Sequence, residues 1–218
     1  MTLPTGWTLS EWQHAYGKAQ LDPKTTLGEL RDTLSADDPA WIHIVSQTEL
    51  NAQIATLTSP SEQPLFGIPF VVKDNIDVAG LPTTAACPAY SYTAERDATT
   101  VARLKAAGAI VLAKTNLDQF ATGLVGTRSP YGIVPNSFNP DYVSGGSSSG
   151  SAVAVARGLV PFSLGTDTAG SGRVPAGFNN IVGLKPTKGR FSIQGVVPAC
   201  KSLDCVSVFA LTVDDAAT

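Results

Sequence analysis

Residues 144–175 read SGGSSSGSAVAVARGLVPFSLGTDTAGSGRVP, and this stretch decides the fold class of the chain. Its run of mostly small residues at 151–157 predicts a short helix, and the β-rich run at 162–165 predicts a buried strand. One loop rich in Gly and Ser precedes the helix, and a second one follows the strand at 166–175. A helix that leads into a strand ending in a glycine-rich loop is typical of α/β proteins.

The preceding residues show the same alternation of strand and helix. Residues 66–72 predict a strand, residues 98–107 a helix that Gly108 ends, and residues 109–113 a second buried strand. Together with the helix and strand above, the order is strand, helix, strand, helix, strand. This order predicts an α/β fold with a mixed, mostly parallel sheet covered by helices.

We place the α/β core at 64–218 and an amino-terminal helical segment at 1–63. Three S/T-x-x-E pairs in this segment have the form of a capping box ahead of helical apolar spacing: Thr8 with Glu11, Thr26 with Glu29, and Ser46 with Glu49. The segment also carries all the tryptophans of the chain: Trp7, Trp12 and Trp41. We expect these rings to be packing anchors, against one another or against a second copy of the chain, rather than parts of a ligand site.

The composition is that of a globular protein. The chain has 218 residues, of which 43% are hydrophobic and 15% are charged. It carries no run of the roughly 20 apolar residues that a membrane-spanning helix needs. Fifteen basic against 18 acidic residues give a formal charge of −3, which argues against nucleic acid as the main partner. The first residues, MTLPTGWTLSEW, lack the features of a signal peptide, so we expect a cytoplasmic protein.

The cysteines and histidines argue against several kinds of site. The three cysteines cannot all pair within one chain and lack the C-x-x-C spacing of a zinc or redox site. The two histidines, His14 and His43, lie in segments patterned like amphipathic helices, which argues against a Ser-His or Cys-His catalytic pair. Asp74, Asn75 and Asp77 have no histidine nearby and lack calcium-loop spacing. We therefore expect neither a metal nor a cofactor.

The Gly/Ser run at 144–151 has three interpretations. As a linker it would separate two domains. However, an apolar helix follows it directly, and the composition does not change across the run as it would at a domain boundary. As a phosphate cradle it would offer backbone N–H groups at a helix start, yet it lacks the G-K-[ST] ending of a P-loop and the G-x-G-x-x-G order of a dinucleotide site. As a catalytic loop it would present serine hydroxyls at the positively polarised end of a helix.

The second loop, at 166–175, has two interpretations of its own. It follows a predicted strand at the position where α/β folds place their ligand sites, and its small residues would let several backbone N–H groups converge as an oxyanion hole. Alternatively, it is a simple turn followed by a helix with Pro175 near its first turn. The presence of two such loops favours a functional interpretation of both.

The two loops and the motifs around them resemble the amidase signature family. Four stretches carry the resemblance in the family's order: GIPFVVKDNID at 67–77, GGSSSG at 145–150, GTDTAGSGRVP at 165–175 and GLKPT at 183–187. The resemblance implies the amidase signature fold, an α/β fold. Members of that family are considerably longer than this chain, so the resemblance also implies a core that is truncated at its carboxyl end.

The resemblance further implies a Ser-Ser-Lys triad. Lys73 matches the family's lysine, Ser147 its bridging serine and Ser171 its nucleophile. In this interpretation Ser171 attacks an amide carbonyl, Ser147 relays the proton, and Lys73 acts as the base. A lysine has a reference pKa of about 10.4, so burial and nearby donors must favour the neutral amine.

The groups around the triad follow from the same resemblance. The developing oxyanion would be held by the backbone N–H groups of four residues: Thr168, Ala169, Gly170 and Ser171. Three small residues would border the acyl pocket and bind the substrate: Ala121, Thr122 and Gly123. Asp167 and Arg173 flank the nucleophile loop, and we expect them to form an ion pair that fixes this loop rather than to contact the substrate.

Within the family, three stretches resemble allophanate hydrolases in particular: 73–84, 114–124 and 197–205. This resemblance implies hydrolysis of the terminal amide of allophanate (urea carboxylate), which releases ammonia and leaves a carboxylated product that loses carbon dioxide. A carboxylate-bearing substrate calls for an arginine or a set of backbone donors, and the sequence assigns neither. The expected partner is a small-molecule amide, without nucleic acid or membrane, and the tryptophan-bearing helices suggest a homodimer.

Two alternatives stay open. The chain could be another small-amide amidase of the same family, such as one directed at malonamide or glutamine. It could also be a noncatalytic half-domain that binds a partner or a small anion through its glycine loops. A binding module of that kind would not need Lys73, Ser147 and Ser171 together.

Overall fold

A computed structural model describes residues 3–218 of the chain. The helices are α1 Leu9–Gly17, α2 Pro23–Asp32, α3 Gln47–Ile54, α4 Thr99–Ala106, α5 Ser149–Ala156, α6 Arg173–Phe178 and α7 Val213–Ala217. The strands are β1 Trp41–Ile44, β2 Pro69–Lys73, β3 Pro82–Thr83, β4 Tyr92–Thr93, β5 Ile110–Thr115, β6 Phe162–Asp167, β7 Val182–Leu184 and β8 Cys205–Ala210.

The main sheet has six strands in the order β1-β5-β2-β6-β8-β7. Its centre is parallel, because β2 pairs in parallel with both β5 and β6. The outer strands β1, β8 and β7 run antiparallel to their neighbours. Every residue of β2, β5 and β6 is buried, as is usual for central strands covered by helices on both faces. The predicted α/β class with a mixed sheet is confirmed.

The parallel centre of the sheet positions polar residues at one edge. Since β2, β5 and β6 run in the same direction, their carboxyl ends lie together, at Lys73, Thr115 and Asp167. All three residues are buried, in spite of their polar side chains. The carboxyl edge of a parallel sheet is where α/β proteins place ligand sites, so this edge is the first place to look for chemistry.

The predicted core elements are present, with bounds shifted by at most three residues. The largest shift is at the start of β2, which begins at Pro69 instead of residue 66. The residues before it form a turn, in which Ile68 N donates to Leu65 O at 3.0 Å and Gly67 N to Gly108 O at 2.9 Å. Strands β7 and β8, which extend the sheet beyond β6, are additions that the sequence analysis did not predict.

Two of the three predicted helix starts are confirmed. Thr8 and Ser46 form capping boxes at the starts of α1 and α3. The predicted N-cap at Thr26 is wrong, because α2 begins at Pro23 and its N-cap is Asp22, four residues earlier. The Asp22 carboxylate accepts a hydrogen bond from Thr25 N at 2.9 Å. Proline is favoured at the first helical position, because an N–H group there would have no acceptor within the helix and its absence costs nothing.

The segment at 1–63 is not entirely helical, because it contributes β1 to the main sheet. Trp41 and Ile44 pair with residues of β5, and His43, predicted in a helix, lies in this strand. Four residues are too few to show a strand period, and it is pairing with β5 that makes them a strand. The tryptophans act as packing anchors as expected: Trp12 and Trp41 are buried, and the Trp7 and Trp12 rings pack edge to face at 6.0 Å.

None of the helices within residues 3–218 combines the length and the hydrophobicity needed to span a bilayer.

Candidate active site

Lys73 ends the central strand β2 and is fully buried. Its Nζ donates hydrogen bonds to Ser147 Oγ at 2.7 Å and to Thr166 Oγ1 at 2.8 Å. A lone lysine at a strand end is ordinarily exposed, but the Lys73 side chain is buried, because it lies against Ser147 of the Gly/Ser loop and Thr166 of β6. The structure therefore brings together two of the three predicted triad residues.

The buried position changes the acid-base chemistry of this lysine. Burial lowers the pKa of Lys73 from its ordinary 10.5 to about 7, because the low-dielectric interior disfavours the ammonium form. Three buried carboxylates oppose this effect by favouring the charged form: Asp118, Asp167 and Asp204. The burial effect prevails, so near neutral pH a large share of Lys73 is a free amine that can accept a proton.

Thr166 is a partner of Lys73 that the sequence analysis did not single out. It lies in β6, where β-branched residues are common for reasons of strand propensity alone. Nothing in its local sequence distinguishes it, since the contact depends on β6 lying beside β2. Together with Ser147 Oγ, the Thr166 hydroxyl fixes the position of Lys73 Nζ.

Replacing Thr166 with valine is expected to lower kcat/KM about tenfold, because losing one hydrogen bond to the base is worth about 1.4 kcal/mol. Valine keeps the branched shape, so KM should change little, whereas the buried Lys73 donor that loses its acceptor should cost about 1 kcal/mol of stability. Thr166→Ser, which keeps the hydroxyl, serves as the control and should retain near wild-type activity. Steady-state kinetics of the valine variant equal to wild type would contradict a role for this hydroxyl.

Ser147 lies in the Gly/Ser loop before α5 and is fully buried. Its carbonyl accepts a hydrogen bond from Asp118 N at 3.0 Å. The loop passes so close to Asp118 that a Cβ added to Gly146 would overlap the Asp118 carboxylate. Only glycine fits at that position, which explains part of the glycine content of the run.

Ser171 lies on the neighbouring loop and is 3% exposed. Its carbonyl accepts a hydrogen bond from Ser148 N at 3.3 Å, so the two serine loops are in contact. Its hydroxyl donates to Gly123 O at 3.3 Å. Within residues 3–218, Ser171 forms no hydrogen bond with Ser147, which the predicted relay requires. Catalytic hydrogen bonds are often long or unformed before substrate binds.

The ion pair predicted between Asp167 and Arg173 is present. Arg173 Nε and Nη2 each lie 2.9 Å from a carboxylate oxygen of Asp167. The same carboxylate accepts backbone N–H bonds from Gly170 at 2.8 Å and from Gly172 at 3.0 Å. Burial opposes ionisation of Asp167, but the bonds from Arg173 and the two glycines outweigh it and hold the pKa of Asp167 below its ordinary value.

The Asp167 carboxylate occupies one of the four predicted oxyanion donors. The N–H of Gly170 points at Asp167 Oδ1 and is not free for an oxyanion in this conformation. The N–H groups of the other three have no hydrogen-bond acceptor within residues 3–218: Thr168, Ala169 and Ser171. The physical reason is that a buried carboxylate needs donors, and the nearest N–H groups of the loop supply them.

Two further buried aspartates hold loops of the site, and the sequence analysis missed both. Asp118 accepts N–H bonds from Gly126 at 3.0 Å and Arg128 at 2.8 Å. Asp204 accepts N–H bonds from Ala199 and Cys200, each at 3.1 Å, and the Thr168 hydroxyl donates to it. A signal was available for Asp118, because it follows a predicted buried strand at the carboxyl edge of the sheet.

The three residues predicted to bind the substrate differ in their exposure and in their contacts with Ser171. Gly123 contacts Ser171 through its carbonyl oxygen. Ala121 is buried in a small apolar cluster with Leu117, and the exposed Thr122 donates its hydroxyl hydrogen to Gln119 O. Gly123 is thus the member of the three that touches the predicted nucleophile.

No group of three His, Cys, Asp or Glu side chains within residues 3–218 is arranged to hold a metal ion. The buried aspartates described above direct their oxygens at backbone N–H groups and at other side chains.

Comparison with known proteins places this geometry among amidases. The family model described as Amidase matches residues 35–218. The chain is 59% identical over 217 residues to a urea amidolyase of Lachancea kluyveri, a match that covers 97% of this chain and 12% of that protein. It is 44% identical over 211 residues to a glutamyl-tRNA(Gln) amidotransferase polypeptide of Akkermansia muciniphila, covering 96% of this chain and 45% of that protein.

Solved structures give the same picture. A serine-to-alanine variant of Kluyveromyces lactis allophanate hydrolase superimposes with a TM-score of 0.94 at 56% identity, covering 100% of this chain and 36% of that one. The Kluyveromyces lactis urea amidolyase superimposes with a TM-score of 0.93 at 56% identity, covering 98% of this chain and 13% of that one. The chain therefore spans only part of the length of the relatives it matches.

Proposed function

Because the chain belongs to the Amidase family, we propose that it supplies the Ser-Ser-Lys triad of an enzyme that hydrolyses allophanate. The observation that carries the proposal is the contact of 2.7 Å between Lys73 Nζ and Ser147 Oγ, made by a lysine whose pKa burial lowers to about 7. A neutral amine held against a serine hydroxyl is the arrangement that a serine nucleophile needs when no histidine is available.

The reaction follows from the proposed roles. Ser171 Oγ attacks the amide carbonyl carbon, its proton passes to Ser147, and the Ser147 proton passes to Lys73 Nζ. The free N–H groups of Thr168, Ala169 and Ser171 hold the negative charge that develops on the carbonyl oxygen. The C–N bond then breaks, and protonated Lys73 returns the proton through Ser147, so that ammonia leaves.

The second half of the reaction releases the acyl group. Water adds to the acyl carbon on Ser171, and its proton passes through Ser147 to Lys73 Nζ. The bond from that carbon to Ser171 Oγ then breaks, and Lys73 returns the proton through Ser147 to Ser171 Oγ, which frees the serine. With allophanate as substrate, the product carries a second carboxylate on nitrogen and loses carbon dioxide. The choice of allophanate rests on the relatives named urea amidolyase and allophanate hydrolase, at 56 to 59% identity.

Ammonia release from a panel of amides tests the proposal. The panel contains allophanate, malonamide, glutamine and indoleacetamide, since relatives named amidotransferase and indoleacetamide hydrolase also match. Rates are measured in the chain itself and in a hybrid that continues it past Thr218 with the rest of the Kluyveromyces lactis enzyme, of which the chain spans 36%. Preference for allophanate supports the proposal. Preference for another amide overturns allophanate as the substrate and assigns that amide instead. A hybrid that folds but hydrolyses none of the amides overturns the catalytic role and favours a binding module.

The pH dependence of kcat/KM should show a rising limb with an apparent pKa of about 7. Below that pH Lys73 is protonated and cannot accept the proton of Ser147, so activity falls as pH falls. His14→Asn and His43→Asn serve as controls that should leave the limb in place. A limb that disappears in either variant, or a flat profile from pH 5 to 9, would contradict the assignment of Lys73 as the base.

A cytoplasmic location, the boundary near residue 63 and the homodimer stay predictions. The prediction of a homodimer assumed that the tryptophans pack against a second copy of the chain, but Trp12 and Trp41 are buried within the chain itself. Sedimentation of the protein in solution decides the assembly.

A further inference from the structure

Asp118 lies between the backbone segments that contact the two serines of the proposed triad. It follows β5 and is fully buried. Its backbone N–H donates to Ser147 O at 3.0 Å. A Cβ added to either Gly123 or Gly146 would overlap the Asp118 side chain. Asp118 therefore packs against the residue before Ser147 and against the residue whose carbonyl accepts the hydrogen bond of Ser171.

The Asp118 carboxylate fixes the segment that follows the predicted substrate-binding residues. Its Oδ2 accepts a hydrogen bond from Gly126 N at 3.0 Å, and its Oδ1 accepts one from Arg128 N at 2.8 Å. The same segment is bound to the Gly/Ser loop, because Leu124 O accepts from Gly146 N at 2.8 Å. One buried side chain thus holds both segments against each other.

The charge of Asp118 is not neutralised by an ion pair. Across the described residues 3–218, no Lys, Arg or His side chain lies within ion-pair distance of its carboxylate. Of the three carboxylates that oppose the effect of burial on the pKa of Lys73, Asp118 acts most strongly, ahead of Asp167 and Asp204. The charge of Asp118 is therefore felt at the proposed base.

The other charged groups around the proposed base differ from Asp118. Asp167 lies 2.9 Å from Arg173, and Asp74 lies 3.2 Å from Lys114, so each of these two charges is shared with a cation. Asp204 is 4% exposed, whereas Asp118 is completely enclosed. Asp118 is thus the one of these carboxylates that is both fully buried and without an ion pair among residues 3–218.

We propose that Asp118 is a positioning residue, which aligns Ser147 with Ser171 through their backbone segments and stabilises the ammonium that forms on Lys73 during the reaction. This inference rests on the proposed function and deepens it. As Ser171 attacks, the proton passes through Ser147, and a positive charge develops on Lys73 in an interior that disfavours it. A fixed negative charge lowers that cost, because it is already in place and needs no reorganisation.

Asp118→Asn removes the charge and leaves one of the two backbone N–H groups without an acceptor. On allophanate, kcat should fall tenfold or more and KM should stay within twofold, because the loss falls on the transition state. The rising limb of kcat/KM should move to lower pH by about half a pH unit or more, because the neutral side chain no longer favours protonated Lys73. A merely structural role would lower kcat and leave the limb in place.

Asp215→Asn is the matched control for this variant. Asp215 is buried in α7, and its carboxylate accepts a hydrogen bond from Leu9 N at 2.8 Å, but it is not among the carboxylates that act on Lys73. This substitution should change kcat less than twofold and leave the limb in place. An unchanged kcat in Asp118→Asn, or a limb that stays or moves to higher pH, overturns the proposal.

A titration without substrate separates this inference from the proposed function, and it needs no variant at Asp118. The NMR resonance of the Asp118 carboxyl carbon is followed from pH 5 to 9 in wild type and in Lys73→Met. It should shift with a midpoint near pH 7 in wild type, when Lys73 loses its charge, and stay constant in Lys73→Met. The Asp215 resonance should behave alike in both proteins.

The titration also decides the case in which catalysis cannot be measured. If wild type hydrolyses no amide, the proposed function fails, and a shift near pH 7 that disappears in Lys73→Met still supports the coupling of Asp118 to Lys73. An Asp118 resonance that does not shift near pH 7 in wild type, or that shifts equally in both proteins, overturns the coupling.

Discussion

Ser171→Ala is expected to abolish both amide hydrolysis and covalent labelling by a fluorophosphonate probe. Removing a nucleophile that works with a base lowers kcat by roughly 10⁴-fold or more, because the remaining groups cannot replace the bond to carbon. The fold should survive, since the lost hydroxyl makes one hydrogen bond, of 3.3 Å, to Gly123 O. Ammonia release, labelling and circular dichroism on the same samples check the three parts of this prediction.

A second buried serine provides the matched control for this variant. Ser163 lies in β6, and its hydroxyl donates to Ser151 O at 2.8 Å, away from the reacting groups. Ser163→Ala should lose about 1 kcal/mol of stability and keep its labelling. Persistence of labelling in Ser171→Ala, with a native spectrum, would show that another residue is the nucleophile.

Lys73→Met is expected to abolish activity and yet stabilise the protein. Activity is lost by roughly 10⁴-fold or more because no base remains to take the proton from Ser147, and a higher pH cannot restore it. Stability rises because burying this lysine is unfavourable: its pKa is about 7 in the folded chain against an ordinary value of 10.5. That difference amounts to roughly 4 kcal/mol at pH 7, which an apolar methionine of similar length avoids. It exceeds the loss of about 1 kcal/mol for each of the two hydroxyls, on Ser147 and Thr166, that lose their partner.

The sign of the pH dependence provides a further check on this variant. Between pH 7 and 10.5 the unfolded chain binds a proton at Lys73 that the folded chain has lost. The free energy of unfolding of the wild type therefore rises with pH across this window. Consequently, the advantage of Lys73→Met should shrink from pH 7 towards pH 10.5 in urea unfolding. An advantage that is absent at pH 7 or grows with pH would contradict the unfavourable burial.

Lys114 is the matched lysine for this experiment, because it is also fully buried but lies 3.2 Å from the carboxylate of Asp74. Lys114→Met leaves that buried carboxylate without its partner, which typically costs about 3 to 5 kcal/mol. The two substitutions should therefore change stability in opposite directions. A loss of stability in both would mean that Lys73 is stabilised by its surroundings as strongly as Lys114.

The sequence predicts best those features that depend on neighbours within a few positions. The capping boxes at Thr8 and Ser46 are hydrogen bonds between residues three positions apart, and the helix at 98–107 follows from its own apolar spacing. The α/β class follows from the order of such local elements. The start of α2 was predicted wrongly because two local signals competed, and Pro23 with Asp22 outweighed the Thr26 pair.

What only the tertiary structure decided involves residues that are far apart in the chain. Lys73 meets Ser147 across 74 positions and Thr166 across 93, and β1 became a strand only by pairing with β5. The lowered pKa of Lys73 and the bond from the Gly170 N–H to Asp167 likewise appear only after folding. The sequence by itself determined the order of the core elements from β2 to β6, and its resemblance to the amidase signature family pointed to the candidate triad. Burial and long-range hydrogen bonds determined the chemical state of these groups, because desolvation depends on everything packed around a residue and not on its neighbours in the chain.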